Sequence, residues 1–340
     1  MQTFLKDIGR FLLVLLIPTL FVVGTYFYYD PFQVVYHYNS FYVSGQPRYV
    51  TLDGDYVSME TFLNNNPIFQ YNSFIFGNSR SRFFEMEEWN KYINTNKSYH
   101  FDASGESLYG IYKKVNFLSE KNVPITNAII VLDVSTLKLI SNSFGHLFIK
   151  HYLLSGQNRI DFQLEFLKAY SSFSFFPAYL DFKYSGKIKD YMKRGHLLDD
   201  TPVDYNLQYN EMALPVFEKQ IMENPELYYT PERKKVFFHR DSIEKQSPQV
   251  IKSIQIEMLK SIKKIFAQNN TNYKIVINPL YDQQKLNVLD LQNINAIFGK
   301  ENVFNFSGIN SLTSDYHNYY EESHFRPIVS QQIFKAIYAK

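Results

Sequence analysis

The sequence predicts an α/β protein, with a parallel sheet covered by helices on both faces and a single membrane helix in front of it. Two observations predict the sheet. Short apolar runs suited to buried strands alternate with longer stretches of helical periodicity. Of 340 residues, 45% are hydrophobic and 20% charged, which suits a packed domain rather than disorder. A third observation, an uncharged run near the N-terminus, predicts the membrane helix.

That run covers residues 11–29. At ~1.5 Å per residue it is long enough to cross a ~30 Å hydrocarbon core. Lys6 and Arg10 precede it and Asp30 follows it, so the positive-inside bias puts the N-terminus in the cytoplasm and the rest outside. Tyr26, Tyr28 and Tyr29 fall where an interfacial aromatic belt lies. A cleaved signal peptide is the rival. Its apolar region is shorter and ends in small residues, whereas this one ends in Tyr-Phe-Tyr-Tyr. The run therefore reads as an uncleaved anchor in the bilayer.

Residues 31–70 read as a stalk and entry segment, and the α/β domain begins at residue 71. Strands are expected at 73–76, 99–103, 128–132, 273–277 and 303–306. Helices are expected at 85–93, 107–121, 286–298 and 327–338. Another is expected after Ser247-Pro248, read as N-cap and N1, with Ile251, Ile254, Met258, Ile262 and Ile265 on its buried face. Residues 140–246 break this rhythm. They carry no clear buried strand and read as a helical insertion able to cap a site.

Composition excludes some classes. The net charge of +2 builds no broad basic face for nucleic acid, and the absence of cysteine removes disulfides, thiolate metal sites and a Cys nucleophile. Aromatics reach 18% but are spread along the whole chain. That matches a compositional bias better than a dedicated sugar-binding surface.

Two motifs carry chemistry. Gly77-Asn78-Ser79-Arg80-Ser81 follows a strand and precedes a helix, at the carboxyl edge of the expected sheet, where open α/β folds bind ligands. Gly77 allows the turn, the Ser79 hydroxyl is exposed at the mouth of the sheet, and its backbone N–H can face a developing oxyanion. Glu321-Glu322-Ser323-His324 lies between the last strand and the last helix. His324 can take the Ser79 proton, and Glu321 can hold the imidazole in the required tautomer. Asp315 is an alternative carboxylate. Alone, the first motif also reads as a capped turn and the second as a surface loop. Glu-x-x-His occurs once, outside a clear helix, whereas di-iron bundles need it twice. No metal and no cofactor are expected.

Together, Gly77-Asn78-Ser79 and Glu321-x-x-His324 resemble the Gly-Asp-Ser and Asp-x-x-His blocks of the SGNH (GDSL-like) hydrolase superfamily. The resemblance covers roughly residues 71–340 outside the insertion. It implies a flavodoxin-like three-layer α/β/α sandwich and a catalytic set of Ser79, His324 and Glu321. It further implies an oxyanion site from the N–H groups of Ser79 and of Gly105, in Asp102-Ala-Ser-Gly105. The family's third block supplies an Asn after the third strand, where this chain has Leu132-Asp133-Val134-Ser135. Losing such a donor can cost ~10²–10³ in rate. Asn78, Arg80 and Asp133 are candidates for binding substrate, with Arg82 a weaker one for an anionic group. Asp282 reads as a helix N-cap.

The resulting expectation is a membrane-anchored serine esterase or O-acyltransferase acting on an acyl ester. By resemblance, its role is O-acetylation of an exported or cell-surface polysaccharide, with a membrane O-acyltransferase as partner. The alternative is a non-catalytic scaffold or glycan-binding module of an envelope assembly.

Overall fold

The computed structural model describes residues 2–196, 198–240 and 242–339. Five strands form one parallel sheet: β1 (Ser73–Phe76), β2 (Ser98–His100), β3 (Asn127–Leu132), β4 (Asn272–Ile277) and β5 (Val303–Asn305), in the order β2-β1-β3-β4-β5. Ser73 stands opposite both Ser98 and Asn127, so β1 sits inside the sheet next to the point where the strand order reverses. Ligands gather at such a switch point because loops leaving neighbouring strands diverge there and open a crevice.

The helices that cover the sheet are α2 (Gly54–Phe69), α3 (Met86–Ile93), α4 (Leu108–Glu120), α5 (Ser253–Gln268), α6 (Val288–Phe298) and α7 (Pro327–Ile337). Strand alternation sorts them into layers. Phe74, Phe76, Ala128, Ile130, Leu132, Ile275 and Ile277 face one core with Phe62 of α2, Leu108 and Val115 of α4, Leu259 and Phe266 of α5, and Ile294 of α6. Ile75, Ile129, Val131 and Val276 face the opposite core with Trp89 of α3 and Val329, Ile333 and Phe334 of α7. Both faces of the sheet are covered, which is why the central strands β1 and β3 read as nearly continuous apolar runs.

The N-terminal helix α1 (Gln2–Tyr29) contains a stretch, Gly9–Tyr29, of mean hydropathy 2.1 of which 6% is buried. It is long and apolar enough to cross a membrane. Its last turn belongs to a third apolar cluster, in which Tyr26 packs with Phe32, Phe162, Phe166 and Tyr170.

Several expectations need correction. Residues 31–70 are not a separate stalk: they hold the strand Gln46–Val50 and all of α2, whose Met59 and Phe62 lie in the main core. The insertion is not wholly helical. Besides helices such as Arg159–Tyr170 and Phe175–Ser185, it supplies strands Leu198–Asn206 and Glu211–Ala213, which join Gln46–Val50 in an antiparallel sheet. The Leu198–Asn206 strand is only partly buried, so no apolar run announces it. Ser247-Pro248 does not start α5. Ser247 Oγ accepts the Asn287 N–H at 3.0 Å, and the N–H groups of Val250 and Ile251 donate to Asp290 of α6 at 2.8 and 2.9 Å. This segment is thus held extended along α6, and α5 begins only at Ser253.

Candidate functional site

The site is built at the carboxyl ends of β1 and β3. After Phe76 the chain turns at Gly77, where an added Cβ would stand 2.7 Å from Ser81 Cβ and 3.1 Å from Val131 Cβ, so only glycine fits. Ser79–Ser81 form one 3₁₀ turn. Asn78 caps it: Oδ1 accepts the Arg80 N–H at 2.9 Å, and Nδ2 donates to Asp133 Oδ2 at 2.9 Å and Thr136 Oγ1 at 3.0 Å. This buried amide therefore bridges the loops after β1 and β3, and its donors are spent inside the protein.

His324 arrives from the other end of the chain. Tyr319–Glu321 and His324–Phe325 form a tight antiparallel hairpin in which His324 stands opposite Glu321. The Glu-x-x-His spacing thus makes a cross-strand pair, with Glu322-Ser323 as the turn. Opposed residues lie close enough for their side chains to meet. His324 Nδ1 is hydrogen-bonded to Glu321 Oε1, and His324 Nε2 lies 3.0 Å from Ser79 Oγ across 245 residues of sequence. Burial works against the Glu321 charge. The hydrogen bond and charge of His324, with the Ser323 N–H at 2.7 Å, outweigh it, and the carboxyl is held below its ordinary value. In this geometry His324 can take the Ser79 proton while Glu321 holds the opposite nitrogen as donor.

Asp315 is not part of this relay; it accepts the His317 N–H at 2.9 Å and its carboxylate meets His317 Nδ1 at 2.8 Å. Asp133 is buried, caps the helix Val134–Lys138 and accepts from Arg80 Nη1 at 2.7 Å. Burial pushes its carboxyl upward, but Arg80 and the hydrogen bonds from Ser135 and Thr136 leave it below the ordinary value. Arg80 also donates to Ser135 Oγ at 3.0 Å. Asn78, Arg80 and Asp133, read from the sequence as substrate-binding candidates, are thus joined to one another beneath Ser79. Gly105 adopts φ +59°, and a Cβ there would meet the Phe148 ring at 3.0 Å. It lies just past the segment that follows β2 beside β1, tied by Ala103 N–H to Gly77 O at 3.2 Å. Among the described residues, neither the Ser79 nor the Gly105 N–H has an acceptor. Asp282 is no helix cap: it accepts the Gln284 N–H within a turn, and Asn287 caps α6.

Two clefts flank the relay. One, of about 250 Å³, is lined by Glu321 and His324, by Arg82, Phe83 and Tyr320, and by Leu214, Phe217, Tyr228, Arg233 and Val236 of the insertion. The other, of about 390 Å³, is more polar and lies beside Arg80, Glu322 and Ser323, opposite His239, Arg240 and Gln283. The insertion is clamped over the hairpin by Arg326, whose Nε and Nη2 donate to Glu218 at 2.9 and 2.8 Å. Sequence reasoning missed these insertion residues and Arg326. The only signal toward the former was that residues 140–246 read as an insertion able to cap a site.

No protein-family model matches the chain, and no curated protein matches it either.

Proposed function

We propose that the chain is a membrane-anchored serine esterase or acyl-transfer protein of the SGNH type, with its folded domain on the extracytoplasmic side. The observation that carries the reading is the Ser79–His324–Glu321 relay, drawn together from the two ends of the domain with Ser79 Oγ 3.0 Å from His324 Nε2. The strand order supports it, since 2-1-3-4-5 is the flavodoxin-like order with its ligand crevice beside β1.

In the first half-reaction, Ser79 Oγ attacks the acyl carbonyl and passes its proton to His324 Nε2. The oxyanion is held by the Ser79 and Gly105 N–H groups. Collapse of the intermediate breaks the ester C–O bond, and the departing alkoxide takes the proton from His324. In the second, water or a carbohydrate hydroxyl gives its proton to His324, attacks the acyl-serine and releases free acid or a new ester. The anchor keeps this chemistry near a bilayer-embedded acyl donor, and O-acetylation of an exported polysaccharide fits that placement.

One observation favours a second reading, a non-catalytic glycan-binding scaffold. After β3 the chain offers Asp133, buried and committed to Arg80, instead of an amide donor for the oxyanion. A fluorophosphonate probe separates the two, because only an activated serine reacts. Labelling of wild type and none of Ser79→Ala is the expected result; an unlabelled wild type favours the scaffold. Faster turnover with added oligosaccharide marks transfer, whereas free acid alone marks hydrolysis. Sidedness rests on Lys6 and Arg10, and a C-terminal alkaline phosphatase fusion should be active.

A further inference from the structure

We propose that the insertion makes a second contact with the lipid bilayer, through the tip of the hairpin formed by its helices Arg159–Tyr170 and Phe175–Ser185, with Phe173 entering the acyl-chain region; the inference rests on the reading of α1 as a membrane anchor. The hairpin lies along the end of α1. The Tyr179 and Tyr29 ring centres are 5.8 Å apart, those of Tyr170 and Tyr26 5.5 Å, and those of Phe176 and Phe21 6.2 Å. Phe21 lies inside the apolar stretch Gly9–Tyr29, and from Phe21 to Tyr29 the axis of α1 runs ~12 Å. The tip of the hairpin therefore points back along α1 toward the middle of that stretch. A domain that merely stood on the surface would touch only the last turn of the anchor.

The chemistry of the tip suits lipid. Residues 169–180 carry no charge. Phe173 is 101% exposed and sits within the turn that leads to Phe176, whose N–H donates to Ser172 O at 3.0 Å. An apolar ring standing wholly in water gains on transfer to acyl chains, in proportion to its area. Polar groups that enter lipid need partners inside the protein. Ser171 Oγ donates to Lys168 O at 3.1 Å, and Ser172 Oγ accepts the Phe175 N–H at 3.2 Å and lies 3.3 Å from Ser174 Oγ. Lys168, a turn above the tip, has a stem long enough to carry its ammonium back to the headgroups. Farther up the hairpin, the Lys183 ammonium stands 5.5 Å from the Tyr29 ring centre and 5.2 Å from that of Tyr179. That is the end of the apolar stretch, where Lys and Tyr meet the headgroup layer. An apolar tip below and a cation above is the order of an interfacial wedge. A single helix leaves the domain free to turn about the helix axis, and a second contact removes that freedom.

Tryptophan fluorescence tests the contact, on the full-length chain reconstituted in phosphatidylcholine vesicles with and without bromine on the upper acyl chain. Trp89, the one native tryptophan, is buried in the domain core, and its signal is subtracted using wild type. Phe173→Trp should be quenched at least about twofold by the brominated lipid. Leu20→Trp, exposed on α1 beside Phe21, should be quenched as well, and it reports the anchor by itself. Ile68→Trp, exposed at the far end of α2 from Tyr56 and Val57, which pack in the cluster around Tyr26, should be unaffected. Quenching of Leu20→Trp without Phe173→Trp overturns the proposal, leaves the anchor standing and points to a protein partner for the tip. Equal quenching of Phe173→Trp and Ile68→Trp also overturns it, because lipid then meets the domain without preference. Quenching of neither Leu20→Trp nor Phe173→Trp overturns the anchor and the second contact together.

Discussion

At the scale of single residues, the relay predicts a sharp asymmetry between two carboxylates only six positions apart. Glu321→Gln keeps the shape of the side chain but offers His324 an amide that can favour the wrong tautomer. Ester turnover should fall by ~10³–10⁴, the range seen when an orienting acid is neutralised. Asp315→Asn touches only the His317 pair and should change turnover less than about threefold. A greater loss from Asp315→Asn, read from initial rates on a soluble ester, would sink the assignment. Ser81 is the internal control: buried and bonded to Asn78 O at 2.8 Å, it faces His100, not His324. Glu211 gives a residue-scale pH effect. Burial, with Glu85 and Glu87 nearby, raises its carboxyl to about 7 while it accepts the Met86 N–H at 2.8 Å. Between its ordinary value and about 7 the folded state holds a proton that the unfolded state has lost. Stability therefore falls as pH rises through that window. Glu211→Gln removes this dependence, and at pH 8 should stabilise by about 1–3 kcal/mol while leaving the pH 5 melting temperature nearly unchanged. The relay was legible in the sequence because Glu321 and His324 are near neighbours and Ser79 follows a turn glycine. The roles of Asn78, Arg80 and Asp133 were not, because they are defined by contacts 53 to 58 residues away.

At the scale of elements, the sheet strands and five of the six covering helices were legible, because the central strands β1 and β3 are apolar on both faces and the helices carry apolar spacing, though α5 starts later than Ser247-Pro248 implied. Helix α2 was not legible. Asp55, Tyr56, Val57, Ser58 and Met59 are buried in succession, so no polar side marks its period. Asp55 is buried because it belongs to an ionic cluster shared by α2, α4 and the insertion. Asp55 of α2 lies 3.2 Å from Lys114 of α4 and 3.3 Å from Lys150 of the insertion, and Lys150 is also 2.8 Å from Glu106. All four side chains are at most 1% exposed. Opposite charges are equal in number here, so removing one leaves an uncompensated buried charge. Lys150→Met should cost about 3–5 kcal/mol, whereas the paired change Lys150→Met with Glu106→Gln should recover much of it. Chemical unfolding of both variants checks this. A Lys150→Met loss under about 1 kcal/mol would mean that the cluster does not hold α2, α4 and the insertion together.

At the scale of the whole molecule, the C-terminal end of the apolar helix α1 packs into the domain. Asp30 ends α1 with a positive φ of 38° and gathers the chain that follows it. Its carboxylate accepts the N–H groups of Val34, Val35 and Tyr36 at 3.0, 3.0 and 3.1 Å and the Tyr38 hydroxyl at 3.1 Å. Tyr26 is buried against Phe32 and Tyr170, and its hydroxyl donates to Gln163 at 3.0 Å. The insertion that grips the anchor through Gln163 and Tyr170 also lines the cleft at His324 through Phe217 and Arg233. The domain is therefore packed against the end of α1 rather than joined to it by a free tether. A tethered domain samples many orientations, and each unproductive one lowers the effective concentration of the site at a bilayer-borne donor. This predicts that Asp30→Ala separates two activities. Four hydrogen bonds are lost, the 31–38 segment loosens, and the domain swings more freely about α1. Turnover of a water-soluble ester should remain within about twofold of wild type, because the relay is untouched. Transfer from a donor reconstituted in vesicles should fall about tenfold or more, and limited proteolysis should cut within 31–45 faster than in wild type. Equal loss on soluble and vesicle-borne donors would show that Asp30 supports the fold of the site rather than its placement. No loss on either would show that the domain works as well on a loose tether as on a docked one.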